Sequence, residues 1–80
     1  MWYYMTKYSF DSSKPVVGLF TTKKEAYEKM LVVAQKEYDI DVNENEWETE
    51  LYVDSGAGEI TITNYFNDSK DITEFFIFEI

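Results

Sequence analysis

Only one stretch of this chain, Thr22 to Tyr38, repeats its apolar residues at helical spacing; the other apolar segments alternate with a period of two. One helix among several strands must bury its stripe against a sheet face, which directs the chain to a two-layer α+β fold. The helix start is written locally. Thr22-Lys23-Lys24-Glu25 is a capping box, in which the Thr22 hydroxyl accepts from the Glu25 amide and the Glu25 carboxylate can reach back. From about Lys23 to Tyr38, the stripe is Ala26, Tyr27, Met30, Leu31, Ala34 and Tyr38, widened by Val33. Lys24 and Glu28, and Glu25 and Lys29, are four apart and can pair on the exposed side.

Before the helix, Trp2 to Phe10 alternates, with Trp2, Tyr4, Thr6, Tyr8 and Phe10 on one side and Tyr3, Met5, Lys7 and Ser9 on the other. Asp11-Ser12-Ser13-Lys14-Pro15 is a turn, and Val16 to Phe20 is a short second strand completing a hairpin. After the helix, Asp39 to Asn45 is expected to be a polar connection. Glu46 to Val53 then alternates strictly: Trp47, Thr49, Leu51 and Val53 should pack inward, with Glu46, Glu48, Glu50, Tyr52 and Asp54 opposite. Asp54-Ser55-Gly56-Ala57-Gly58 supplies a hairpin loop. Glu59 to Phe66 is the next strand, Asn67-Asp68-Ser69-Lys70 a turn, and Ile72 to Ile80 the last strand. Its Phe75-Phe76-Ile77-Phe78 run predicts a central strand buried on both sides. The expectation is one domain over 1–80: five mainly antiparallel strands with one helix on a face, in the order β-β-α-β-β-β.

Eighty residues allow one modest core, and fifteen aromatic side chains (seven Tyr, six Phe, two Trp) help to fill it. The absence of Cys excludes disulfides and thiolate zinc sites. The absence of His removes the usual acid–base group at neutral pH, and the turn serines have no imidazole to activate them. No apolar run approaches the roughly 20 residues of a membrane span. Met1 to Lys7 lacks the basic and long apolar regions of a signal peptide, so a cytoplasmic location is expected. Carboxylate-only catalysis requires a cleft that a single sheet and helix of this size seldom build, so a non-enzymatic role is expected.

Charge is distributed unevenly. Residues 1–36 hold six Lys against three acids, a balance of +3; residues 37–80 hold thirteen acids against Lys70, a balance of −12. The net charge of −9 opposes direct nucleic-acid binding and favours a basic protein partner. Asp39, Asp41, Asn43 and Glu50 match EF-hand loop positions 1, 3, 5 and 12. Glu44 stands where that loop needs Gly, and a strand follows where it needs a helix, so no metal or other cofactor is expected.

Glu46, Glu48 and Glu50 share one side of a strand at about 6.6 Å intervals, comparable to the spacing of phosphates along a nucleic-acid strand. Asp54 and Glu59 would continue the row around the hairpin, and Asp41 and Glu44 would lead into it. With Tyr52 as an aromatic anchor, the candidate partner-binding set is Asp41, Glu44, Glu46, Glu48, Glu50, Tyr52, Asp54 and Glu59. The plainer reading of the same acids is a solvated outer face that keeps an aromatic-rich chain soluble. The first strand is aromatic on both sides, which makes homodimerisation an alternative if one side stays uncovered.

Gly18-Leu19-Phe20-Thr21-Thr22-Lys23-Lys24-Glu25-Ala26 behind an aromatic hairpin, with the ending Ile72 to Ile80, resembles small phage and prophage accessory proteins. That resemblance implies an antagonist of host defence, as in acidic anti-CRISPR and anti-restriction proteins. The same N-terminal layout is similar to the hybrid-binding domain of eukaryotic ribonuclease H. Lys23 and Lys24 match that module only in charge, no Trp stands beside them, and hybrid binding is not carried over. The leading expectation is an inhibitor that blocks a basic nucleic-acid-binding host protein, such as a CRISPR effector or restriction nuclease. The alternatives are a non-enzymatic adaptor or self-associating structural protein, or a small-ligand sponge.

Overall fold

The computed structural model describes residues 1–8, 16–44 and 48–80. The expected turn at 11–15, the end of the first strand at Ser9 and Phe10, and Asn45, Glu46 and Trp47 lie outside the described residues. In chain order the elements are β1 (Trp2–Tyr8), β2 (Val16–Phe20), α1 (Lys23–Glu44), β3 (Thr49–Asp54), β4 (Glu59–Tyr65) and β5 (Lys70–Glu79). The strands form one antiparallel sheet in the order β2-β1-β5-β4-β3, and α1 packs across it. The chain is therefore α+β with the expected order of elements.

The helix begins as its capping box requires: the Glu25 amide donates to Thr22 Oγ1 at 3.2 Å, and the Ala26 amide to the Thr22 carbonyl at 3.2 Å. Lys24 and Glu28 approach to 3.9 Å on the exposed side. Ala26, Met30 and Ala34 are fully buried, with Tyr27, Leu31, Val33 and Tyr38 packed around them. Small residues at positions 26 and 34 bring the helix backbone close to the sheet. There Tyr4, Ile60, Ile62 and Phe75 complete the core, bordered by Phe20, Leu51 and Ile77. Tyr4 stacks on Phe20 at 6.3 Å between ring centres, and the Lys23 ammonium lies 5.8 Å from the Trp2 ring.

Three expectations are corrected. The segment Asp39 to Glu44 is not a connection but the last turns of α1, which runs to Glu44 rather than Tyr38. No Gly or Pro stands there to stop it. Hydrogen bonds also hold it: Gln35 Nε2 donates to Asp39 Oδ1 at 3.1 Å, and Asn64 Nδ2 to Asp41 Oδ2 at 3.1 Å. In the next segment the described strand is Thr49–Asp54, and Val53, expected to pack inward, is 39% exposed because β3 closes the sheet at one end. Finally, β5 is central, but the described elements cover its Phe run on one side only. Phe75 is buried against α1, while Phe78 on the other side is 42% exposed.

Between β1 and β2 the register steps from Trp2↔Phe20 to Tyr4↔Val17, so β2 carries one extra residue. Gly18 adopts φ +63 at this bulge, a left-handed conformation that a side chain disfavours.

Candidate functional site

With α1 on one face, no described element packs on the opposite, open face of the sheet, and the strand register fixes what it displays. Across β1, β5, β4 and β3 one row reads Met5, Phe76, Glu59, Asp54, and the next Lys7, Glu74, Thr61, Tyr52. Ile72, Thr63 and Glu50 form a further row, and Tyr3 with Phe78 stands beyond Met5 and Phe76. The open face is thus divided. Its β3 and β4 side carries Glu50, Tyr52, Asp54 and Glu59, and its β1 and β5 side carries Tyr3, Met5, Phe76 and Phe78.

The sequence partition of charge becomes a spatial one through the strand order. β1 and β2 come from the Lys-rich part of the chain and lie at one end of the sheet, whereas β4 and β3 come from the acidic part and lie at the other. Tyr52 is 63% exposed between the carboxylates of Glu50 and Asp54. Among the described residues, no Lys forms an ion pair with Glu48, Glu50, Asp54 or Glu59.

Two of these acids have structural tasks as well. The Asp54 carboxylate accepts from the Ala57 amide at 3.0 Å and so shapes the β3–β4 turn. Glu50 Oε2 accepts from the Tyr65 hydroxyl at 3.0 Å across the hairpin. That hydrogen bond, with some burial and the charges of Glu50 and Glu48, pushes the Tyr65 phenol above its ordinary pKa. Tyr65 follows Thr61 and Thr63 in the alternation, which was the sequence signal that it belongs to this face.

The remaining candidates fall elsewhere. Asp41 lies on the helix side of the sheet, joined through Asn64 to Thr49, whose hydroxyl donates to Asn64 Oδ1 at 2.7 Å. It does not lead into the acidic row. Glu44 is the last residue of α1 and is exposed. Glu46 lies outside the described residues. Of the candidate set, Glu48, Glu50, Tyr52, Asp54 and Glu59 are the ones brought together.

Asp39, Asp41 and Asn43 cannot act as an EF-hand loop, because residues two apart on a helix point about 200° apart and do not converge on one ion. Among the described residues, no group of three Asp or Glu side chains is arranged to hold a metal. No described helix is long and apolar enough to cross a membrane.

The apolar side of the open face is ordered by ring contacts. Tyr3 stacks on Phe78 at 5.6 Å, and Phe76 meets Phe78 at 6.2 Å with the rings tilted by 50°. Met5, Lys7, Phe76 and Phe78 line a shallow depression of about 190 Å³ there. No protein-family model, curated protein or solved structure matches the chain.

Proposed function

We propose that this chain is a non-catalytic inhibitor that seats the acidic side of its open sheet face on the cationic nucleic-acid-binding surface of a host defence protein. The observation that carries this reading is the gathering of Glu48, Glu50, Asp54 and Glu59 around exposed Tyr52, with no Lys paired to them among the described residues. Carboxylates left unneutralised on a flat face raise a negative potential that steers a basic partner, and an exposed tyrosine supplies the desolvated anchor. Glu50, Tyr52 and Asp54 follow one another along β3 at about 6.6 Å intervals, which suits a surface built to follow phosphates. The phage-protein resemblance of the Gly18–Ala26 segment supports the choice of a defence nuclease as the partner class.

The test is capture from a bacterial lysate at low and high salt, followed by inhibition of the captured protein's nucleic-acid binding. Capture should weaken steeply as salt rises. Changing Glu48, Glu50 and Glu59 together to Lys should abolish it while circular dichroism shows an unchanged fold. Undiminished inhibition by that folded variant would refute the proposal.

A further inference from the structure

The apolar side of the open face is distinct from the acidic row and has its own symmetry. β1 and β5 pair directly, with Tyr3 opposite Phe78, Met5 opposite Phe76, and Lys7 opposite Glu74. All six side chains stand on the open face. A two-fold axis lying above this face, between the two strands and parallel to them, carries each strand over the other. It places Tyr3 of one copy on Phe78 of the next, Met5 on Phe76, and Lys7 on Glu74. These three contacts are apolar on apolar or cation on anion, and each occurs twice; the same axis lays β2 of one copy over β4 of the next.

We propose that the chain forms this isologous dimer, with the open faces of β1 and β5 stacked as a two-sheet sandwich. Aligned sheets packed about 10 Å apart bury their facing side chains in this way. The dimer supplies the second cover that the Phe75-Phe76-Ile77-Phe78 run calls for, since Phe75 is buried by α1 and Phe78 is 42% exposed without a partner. A second copy also fits because it is always present, whereas an aromatic surface waiting for another protein would stay wet and prone to aggregation.

The net charge of −9 does not forbid this pairing. β3 lies two and a half strand spacings from the proposed axis, about 12 Å at ~4.8 Å per strand. The β3 carboxylates of the two copies therefore lie about 24 Å apart and their Glu59 side chains, on β4, about 14 Å apart, both beyond the Debye length of about 8 Å at physiological salt. The β3 carboxylates, Glu50 and Asp54, remain at the outer margins of the sandwich, while β4 lies opposite β2 of the second copy.

Sedimentation velocity on the full chain at low and high salt tests the proposal. The expected species has twice the 9.5 kDa chain mass and is strengthened by salt, opposite to the salt response expected of the acidic row. Lys7→Glu places acid on Glu74 of the second copy, and Glu74→Lys places cation on its Lys7, so either change should weaken self-association about tenfold or more. Mixing the two variants should restore a dimer, because each then opposes unlike charge; a fold defect within one chain cannot be repaired by the other. Phe78→Ser, at the exposed margin, should give a folded monomer. A parent chain that stays monomeric at every concentration and salt would overturn the proposal. So would a dimer indifferent to all three changes, or a mixture no more associated than its components.

Discussion

Across the β3–β4 hairpin the Tyr65 hydroxyl donates to Glu50 Oε2 at 3.0 Å, tying the acidic row to the strand beside it. Because a phenol that has lost its proton cannot donate, the bond holds the proton on Tyr65 and raises its pKa above the ordinary 10.0. Spectrophotometric titration at the phenolate band should therefore show one tyrosine ionising late through this contact. Glu50→Gln should bring that tyrosine back toward its ordinary value. An unchanged titration curve in the variant would show that the contact does not form in solution.

A second prediction concerns Glu37. Burial raises its carboxyl pKa above the ordinary 4.5, and the nearby charge of Asp41 raises it further. A carboxyl raised by folding favours the native state when protonated. Its contribution is full below pH 4.5 and is lost as pH rises through the folded-state value. Glu37→Gln should therefore be more stable than the parent at neutral pH, and the difference should shrink as pH falls toward 4.5. Urea midpoints at the two pH values measure it.

Tyr4 gives the third. Its ring is in the core at 1% exposure, and its hydroxyl has no hydrogen-bond partner among the described residues. Burial alone pushes this phenol's pKa upward, since the charged form is the one desolvated. Tyr4→Phe keeps the ring stacked on Phe20 and removes the unmatched oxygen, so it should raise stability by about 1 kcal/mol. A loss of that size on denaturation would mean that the hydroxyl is satisfied in solution.

The two glycines of the β3–β4 turn should respond differently to substitution. Gly58 has φ +69, and a Cβ there would come within 3.3 Å of Ile77 Cδ1. Its carbonyl also accepts from the Ile77 amide at 3.1 Å, so the backbone has little room to retreat. Gly58→Ala should cost about 1–3 kcal/mol. Gly56 is not left-handed, and its nearest contact would be Asp54 Oδ1 at 3.5 Å. Gly56→Ala should shift the thermal midpoint only slightly, and equal effects at the two sites would refute the distinction.

Where a signal was local, the sequence carried it. Thr22 and Glu25 announced the helix start, and Asp54 with Gly58 announced the hairpin that aligns Asp54 with Glu59. What failed depended on partners distant in sequence. Asp39, Asp41 and Asn43 have poor helix propensity and suggest a connection, yet Asn64, twenty-three residues beyond Asp41, donates to its carboxylate on the final turns of α1. The alternation of Phe76 and Phe78 shows that they share a side but cannot show whether anything covers it. The division of the open face into acidic and apolar sides was likewise hidden, because it arises only when β5 is inserted between β1 and β4.

The bulge at Gly18 has a consequence for how this protein can meet others. It sits on β2, one of the two outermost strands, and gives that strand an extra residue and a local twist. At the far end, β3 itself carries the carboxylates of Glu50 and Asp54. Outermost strands with unpaired main-chain groups can template further strands and seed fibres, and a bulge on one and charge on the other are common protections. With both outermost strands protected in this way, the broad faces of the sheet, rather than its backbone edges, are the surfaces left for packing, and an aromatic-rich sheet is kept from growing strand by strand.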